Sequence, residues 1–405
     1  MRRRSTARKL PFLTTGSIDS TLASVIVMLS VFGAVMVYSG SVLVAVRQGN
    51  EPTHYFIRQL IWVIAGLAIA YVLSKIDYHF LAKYSLQAII LSIFLLIAVL
   101  ILNHDQAIKR WIDLGAFDLQ PSELTKLAFV FFLSSWLAKQ KERTQKGIKA
   151  FKEHFYKEML PFLLWLGAIS ILIIMQPDLD TTLIIAITAF IVYFISGNDN
   201  VHLLGSTIIL IGSAIVGSIA TTLASYRIDR LATFFDFWKN GFILDPFGNG
   251  YQMRQILVAV ASGGLFGVGF GESRQKFHYL GDTAFSDTIF AIFAEEFGFI
   301  GIVVMVSIFL FIMIKGYKIA KAAPDKLGFL LAVSITTWIT LQAFLHIGAN
   351  VALIPINGNT LPFMSYGGSS TVVNLAAIGV LLNISAQATG NKRNTTIERV
   401  RSRKN

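Results

Sequence analysis

The chain has 405 residues, of which 54% are hydrophobic and only 14% are charged. Soluble proteins carry about a quarter charged residues, and long apolar runs recur along this chain, so we predict one polytopic membrane domain. The absence of cysteine excludes disulfides, thiolate metal sites and cysteine nucleophiles. The net charge of +12 does not indicate nucleic-acid binding, because the charges lie mainly between and beyond the apolar runs.

Ten apolar runs predict an all-α integral membrane protein with about ten transmembrane helices. In chain order the runs cover residues 22–46, 56–74, 86–102, 122–137, 160–175, 182–195, 203–223, 289–314, 327–349 and 370–385. The fourth and sixth runs are short and could be tilted or partly buried among their neighbours. The first run is too long for the apolar part of a signal peptide, so no cleavable signal is predicted.

The distribution of lysine and arginine predicts the orientation of these helices. An even number of helices puts both termini on one side, and that side collects most of the basic residues, so both termini are predicted to be cytoplasmic. The membrane domain then covers residues 21–388, between a basic tail at 1–20 and another at 389–405. A large extracytoplasmic loop at 225–288 separates helices seven and eight, and loops of this length are usually functional.

The first outer loop and the helix that follows it carry the first group of polar residues. Lys109, Arg110 and Trp111 stand in the loop, and Trp111 could also be an ordinary interface anchor. Glu123 and Lys126 are three residues apart and share one helix face, so an ion pair between them must face the protein interior or a wet cavity. A structural clamp and a substrate contact explain this pair about equally well.

A Gln-Pro-Asp-Leu-Asp turn between the fifth and sixth runs carries two carboxylates, Asp178 and Asp180. Either could cap the sixth helix, because aspartate is a good N-cap. We assign the capping role to Asp180 and a functional role to Asp178.

The large loop begins with Arg227 and Arg230. Their guanidinium groups are three residues apart and could bind a phosphate together, although snorkelling of both side chains at lipid headgroups explains them as well. A glycine-rich run follows at residues 263–271. It looks like a nucleotide-binding loop, but no strand precedes it and no Lys-Ser/Thr follows it. We therefore predict close packing or a bend there.

The loop ends at Asp282 and Asp287, where a polar segment runs into the eighth apolar run. A carboxylate at the end of a transmembrane helix is costly to place and usually functional. Such a carboxylate could take the proton of an acceptor hydroxyl in a glycosyl transfer. A departing pyrophosphate would also need positive charge, from side chains or from a divalent cation such as Mg²⁺ or Mn²⁺. Glu295 and Glu296 lie too far along the helix to pair with Asp287, and we predict structural partners for them inside the bundle.

Several of these motifs occur in the same order in the FtsW/RodA/SpoVE family, the SEDS proteins of bacterial cell-wall synthesis. The chain resembles that family over nearly its whole length. The matching sequences are KRWI at 109–112, QPSE at 120–123, QPDL at 176–179, YQ at 251–252, SGGLFG at 262–267, DxIFAxxAEE at 287–296 and SYGGSS at 365–370.

The resemblance implies a peptidoglycan glycosyltransferase of the bacterial cytoplasmic membrane. Such enzymes polymerise lipid II, a disaccharide-pentapeptide on undecaprenyl pyrophosphate, at the outer leaflet. Asp287 stands at the position of the family's aspartate that is taken to activate the acceptor 4-hydroxyl, and no metal ligand is assigned. The residues expected to contact substrate are Lys109, Arg110, Trp111, Glu123, Lys126, Asp178, Arg227, Arg230, Lys276, Asp282, Ser365, Gly367, Gly368 and Ser369.

Partners are implied in the same way. Family members work with a class B penicillin-binding protein that supplies the transpeptidase, and no nucleic acid is expected. The spacing of Arg227 and Arg230, and the Gln275-Lys276 pair, look more like the FtsW branch than the RodA elongation branch. The chain is therefore expected at the division septum, among other membrane proteins of the division complex.

The chain departs from the family pattern at Asp180, where the family has glycine, at Gly281-Asp282, where it has Pro-Glu, and at His346, where asparagine is common. Two other functions stay open. A lipid II flippase would use the same charges as a translocation path, although no repeated halves are visible and the polar residues cluster at the outer side. A scaffold that activates a partner synthase would tolerate replacement of Asp287.

Overall fold

The structure is a computed structural model that describes residues 16–102, 110–115, 118–140, 147–197, 200–222, 225–281 and 284–402. Lys109 and Asp282 lie outside the described residues, as does the side chain of Arg227. The helices in these ranges are α1 Ser20–Arg47, α2 His54–Lys75, α3 Tyr78–Lys83, α4 Ser85–Leu102, α5 Pro121–Ala138, α6 Gly147–His154, α7 Leu160–Ile174, α8 Leu179–Ser196, α9 Asn200–Thr222, α10 Ser225–Asn240, α11 Tyr251–Ser262, α12 Gln275–His278, α13 Ile289–Ala322, α14 Lys326–Asn350 and α15 Gly368–Ser402. One π-helical turn, Phe155–Met159, joins α6 to α7, and two short strands, β1 Ile112–Asp113 and β2 Asp118–Leu119, pair antiparallel.

All ten predicted runs are helical as far as the structure describes them, and the predicted all-α membrane architecture is confirmed. Eight helices in the described ranges are long and apolar enough to cross a membrane: α1, α2, α4, α7 with the turn before it, α8, α13, α14 and α15 as far as Gly390. The other two runs correspond to α5, whose first turns are polar, and to α9. The chain is a multi-pass membrane protein.

The centre of the bundle is formed by α14 and α15. In the most apolar stretch of each helix, 78% of the residues of α14 and 89% of those of α15 are buried. In α2 and α13 the corresponding share is only 22%. The exposed faces of α2 and α13 carry large apolar side chains, such as Ile64 and Phe299, as expected of helices that face lipid. The central position of α14 and α15 matters for the site, because the segment between them, residues 351–367, contacts Asp180 and Ser286.

The glycine-rich run packs against a break in α13. Gly298 interrupts this helix with φ 65° and ψ −165°, and a Cβ there would lie 2.3 Å from the backbone nitrogen of Gly267. The loop replaces the lost helical hydrogen bonds, because Val268 N donates to Glu295 O at 3.0 Å and Phe299 N donates to Gly264 O at 2.8 Å. The prediction of close packing or a bend is confirmed.

The two glutamates of α13 have structural partners, as predicted. Glu296 Oε1 accepts hydrogen bonds from Lys276 Nζ at 2.8 Å and from Ser39 Oγ at 2.6 Å. Glu295 Oε2 accepts from Ser273 Oγ at 2.5 Å. All of these side chains are buried, so the contacts fix the glycine-rich loop and α12 to the first half of α13.

Candidate active site

Asp287 lies at one end of the bundle, two residues before α13 begins. Its backbone is held from both sides. Asn350 Nδ2, at the end of α14, donates to Asp287 O at 3.2 Å. Ser365 Oγ donates to the carbonyl of the preceding residue, Ser286, at 2.7 Å. The C-terminal motif that contains Ser365 therefore positions the segment that carries the carboxylate.

A second carboxylate meets Asp287 at Gly358, in the segment between α14 and α15. The Oδ2 atoms of Asp180 and Asp287 each lie 3.6 Å from the position that a Cβ would take on Gly358, and Arg110 Nη1 lies 4.0 Å from it. The two carboxylate oxygens are therefore separated by at most twice the first distance. Gly358 N also donates to Asp180 Oδ2 at 2.8 Å, which fixes Asp180 in this place.

Two arginines provide positive charge beside this carboxylate pair. Arg110 Nε donates to Gln176 O at 3.3 Å, and its Nη2 donates to the next carbonyl, Pro177 O. Arg230 Nη1 donates to Ile356 O at 3.3 Å. Both guanidinium groups are thus oriented by backbone carbonyls, and each exerts an electrostatic effect on Asp287.

The surroundings of Asp287 change its acidity. Burial raises the pKa of Asp287 from its ordinary value of 3.8 to about 6, although the hydrogen bond from the Ser286 side chain lowers it. The negative charge of Asp180 raises the pKa further, and the positive charges of Arg110 and Arg230 lower it. A carboxyl group with a pKa near the working pH is better matched to proton transfer than an ordinary aspartate.

The capping role assigned to Asp180 was wrong, whereas a contact of Asp178 with substrate stays a prediction. Asp178 is the N-cap of α8, because its Oδ1 accepts from Thr181 N at 3.2 Å. Its Oδ2 accepts from Ser122 Oγ at 3.2 Å, and Asp178 is only 2% exposed. Asp180 lies in the first turn of α8, and its side chain reaches Gly358 instead. A cap must immediately precede the first helical residue, and α8 begins at Leu179.

The ion pair predicted between Glu123 and Lys126 is present and buried, with Nζ 2.8 Å from Oε1. Lys126 Nζ also donates to Gln342 Oε1 at 3.0 Å and lies 5.2 Å from the centre of the Trp338 ring. Gln342 in turn donates to Thr360 O at 3.0 Å. These contacts join α5 to α14 and to the segment after it, as expected of a clamp between helices, while a contact with substrate stays a prediction.

The remaining residues of the C-terminal motif pack the loops around the site. Ser369 Oγ accepts from Gln120 N at 3.0 Å, and Gly367 N donates to Gln59 Oε1 at 3.3 Å. A Cβ on Gly368 would lie 2.7 Å from the Trp62 ring, so only glycine allows this approach. For Gly367, Gly368 and Ser369, too, substrate contact stays a prediction.

The structure does not bring Lys276 into the cluster around Asp287, because its ammonium group is buried against Glu296. Trp111 is 44% exposed in the loop before α5. Asp180 and Gly358 are the members of the cluster that sequence reasoning missed. One signal could have found Asp180, since it is an acidic residue where the family pattern has glycine.

The fold and the site together define a polytopic membrane protein with a titratable carboxylate pair at one end of its helix bundle. The sequence matches the model of the FtsW/RodA/SpoVE family of cell cycle proteins over residues 20–390, and the chain belongs to that family.

Curated relatives match almost the whole chain. The chain is 37% identical over 375 residues to the probable peptidoglycan glycosyltransferase FtsW of Nitrosomonas europaea, covering 91% of this chain and 92% of the relative. It is also 37% identical over 370 residues to the stage V sporulation protein E of Bacillus subtilis, covering 91% and 96%.

Solved structures share the fold. One match is a chain from a structure that describes structural coordination of polymerization and crosslinking by a peptidoglycan synthase complex. It aligns with a TM-score of 0.71 and 24% identity, covering 92% of this chain and 98% of that one. The rod shape determining protein RodA of Thermus thermophilus matches with a TM-score of 0.62 and 23% identity, covering 91% and 96%.

Proposed function

We propose that Asp287 is the general base of a glycosyl transfer that extends peptidoglycan strands from lipid II at the outer face of the bacterial cytoplasmic membrane. The chain is a peptidoglycan glycosyltransferase, like the FtsW relatives that it matches over nine-tenths of its length. The single observation that supports the role of Asp287 is its place in the structure. It is a half-buried carboxyl with a pKa of about 6, beside two arginines at the loop end of the bundle.

In the proposed step, a carboxylate oxygen of Asp287 takes the proton from the acceptor 4-hydroxyl. The hydroxyl oxygen attacks the anomeric carbon of the donor sugar, and the bond from that carbon to the pyrophosphate oxygen breaks. Undecaprenyl pyrophosphate leaves with the bonding electrons. Arg110 and Arg230 are placed to stabilise the negative charge that develops on it, and Lys109 and Arg227 belong to the same proposed set.

A divalent cation fits the same place. Mg²⁺ and Mn²⁺ prefer carboxylate oxygens, and such ions are often held by one or two carboxylates together with substrate phosphates. Asp180 offers this kind of oxygen beside Asp287. An ion held by Asp180 and the substrate pyrophosphate would supply further positive charge to the leaving group.

The proposed setting is the division septum, with cytoplasmic termini and a class B penicillin-binding protein as partner, among other membrane proteins of the division complex. The excess of lysine and arginine on the side of the termini supports the orientation. The FtsW names of the relatives support division rather than elongation. The likeness to a chain from a peptidoglycan synthase complex supports a crosslinking partner.

The test is polymerisation of fluorescent lipid II by the purified protein together with its class B partner, with and without Mg²⁺ or Mn²⁺. We expect glycan ladders from the wild type and from Asp236→Asn, a matched control because Asp236 is a partly exposed carboxylate of the same outer segment. Asp287→Asn should produce no ladder while it still folds and binds the partner.

Ladders from Asp287→Asn at the wild-type rate would move the base to another residue. The absence of ladders from every variant, with fold and complex intact, would overturn the proposed polymerase and direct the work to a lipid II flipping assay.

A further inference from the structure

A second cluster of ionisable side chains lies at the other end of α8, about 20 Å along that helix from Asp180. It consists of His154 at the end of α6, Glu158 in the π-helical turn and His202 in α9. All three residues are buried, with exposures of 0%, 8% and 1%. Within the described ranges, this is the one group of three histidine or acidic residues whose ligand atoms converge.

The spacing of the ligand atoms is that of a metal centre. His154 Nδ1 lies 3.4 Å from Glu158 Oε2, and His202 Nδ1 lies 3.8 Å from the same oxygen. All three ligand atoms are within 4.8 Å of one another. A tetrahedral Zn²⁺ ion with bonds of about 2.1 Å holds its ligands about 3.4 Å apart, so both distances from Glu158 Oε2 to the histidine nitrogens already lie within about half an ångström of that spacing.

The other nitrogen of each imidazole ring is already engaged by one residue. His202 Nε2 lies 2.6 Å from Tyr193 O, and a carbonyl oxygen only accepts hydrogen bonds, so Nε2 carries the proton. His154 Nε2 lies 2.9 Å from the hydroxyl of Tyr193. Partners of this kind orient metal-bound histidines in known sites.

One consequence concerns His202 Nδ1. In the neutral ring this atom has a lone pair, and it faces the Glu158 carboxylate without a hydrogen-bond partner in a buried site. Two electron-rich atoms that face each other away from water repel, and a cation between them, or a proton on the ring or on the carboxyl, would remove that repulsion.

The surrounding backbone leaves room for both rings. A Cβ on Gly197 would lie 2.7 Å from His202 Cγ, and a Cβ on Gly205 would lie 2.5 Å from His154 Nε2. Larger residues at these two positions would displace the imidazoles. Glu158 belongs to a π-helical turn, and such turns inside helices are frequent at functional sites.

We propose that His154, Glu158 and His202 bind one Zn²⁺ ion, with water as the fourth ligand. Two imidazole nitrogens and one carboxylate oxygen form a donor set that suits zinc. The ion would join the α6–α7 region to α8 and α9, and it would act on the stability of this end of the bundle, far from Asp287.

The test uses the full chain, purified in detergent and treated with a chelator. The wild type should then bind one equivalent of Zn²⁺, measured by elemental analysis and by calorimetric titration. Replacement of the ion by Co²⁺ should give the visible absorption of a tetrahedral centre. His202→Asn should weaken Zn²⁺ binding by about tenfold or more and should remove the rise in melting temperature on addition of zinc.

His79→Asn is the matched control. His79 also lies between two carboxylates, Asp77 and Asp325, but it is exposed and both of its ring nitrogens are within hydrogen-bond distance of them. Its replacement should leave Zn²⁺ binding unchanged.

A further variant keeps the test decisive if His202→Asn folds poorly. His202→Cys replaces one zinc ligand by another and should retain binding. The chain has no cysteine, so a thiolate-to-Co²⁺ absorption band in this variant can only come from the substituted side chain. A wild type that binds no Zn²⁺, or a well-folded His202→Asn that binds it as tightly as the wild type, would overturn the proposal. The cluster would then be a protonated imidazole paired with Glu158.

Discussion

Replacement of Asp180 by asparagine should make Asp287 more acidic. The negative charge of Asp180 is one of the causes that raise the pKa of Asp287 to about 6, and Asp180→Asn removes that charge. Asparagine keeps a carbonyl oxygen that can accept the hydrogen bond from Gly358 N, so the local backbone should stay in place. A base with a lower pKa remains deprotonated at lower pH, so the acid limb of the pH–rate profile should move to lower pH.

The size of the shift follows from the geometry at Gly358. The two carboxylate oxygens are at most about 7 Å apart. At effective dielectric constants of 20 to 80, two unit charges at this separation repel each other by about 0.6 to 2.4 kcal/mol. This energy corresponds to about 0.4 to 1.7 pKa units, and we expect a shift near the middle of this range.

The assay is the pH dependence of kcat/KM for lipid II polymerisation, measured for the wild type, Asp180→Asn and the control Asp236→Asn. Two carboxyl groups this close titrate as a pair, so the acid limb reports apparent pKa values of the pair. An acid limb that is unchanged in Asp180→Asn, or that moves to higher pH, would refute the electrostatic coupling between the two aspartates.

Two further variants test other parts of the structure. Arg230→Gln should move the acid limb of the kcat/KM profile to higher pH, because loss of a positive charge raises the pKa of Asp287. A shift of the acid limb to lower pH would contradict this prediction. Lys276→Met leaves Glu296 buried without its ammonium partner and should destabilise the fold by about 3 to 5 kcal/mol, measured as the free energy of unfolding. The double variant with Glu296→Leu should recover part of that loss, and equal losses in the single and double variants would show that the pair is not coupled.

The sequence was sufficient to predict the long apolar helices of this fold, because long apolar runs have few alternatives to a membrane helix. It also placed Asp287 at the loop end of the eighth run and assigned internal partners to Glu295 and Glu296. The roles of Asp178 and Asp180 could not be assigned in this way. They depend on which single residue begins α8, and helix boundaries cannot be read from sequence to that precision.

Contacts between distant parts of the chain were also beyond the sequence. Asp180 and Gly358 are 178 residues apart, and only the packing of α8 against α14 brings them together. The same limit explains Lys276, which was expected beside the substrate but is buried against Glu296. His202 comes from a separate helix, so the sequence shows only the four-residue spacing of His154 and Glu158 and not the convergence of all three residues.

The break at Gly298 divides α13 into two mechanically different parts. The nine residues from Ile289 to Phe297 are tied to the glycine-rich loop by backbone hydrogen bonds and to α12 through Glu295 and Glu296. The remainder of α13, residues 299–322, is the long apolar part of the helix. Asp287 is therefore attached to the glycine-rich loop more directly than to the remainder of the helix. A protein that bound this loop and moved it would displace the Asp287 carboxylate without having to bend the long helix.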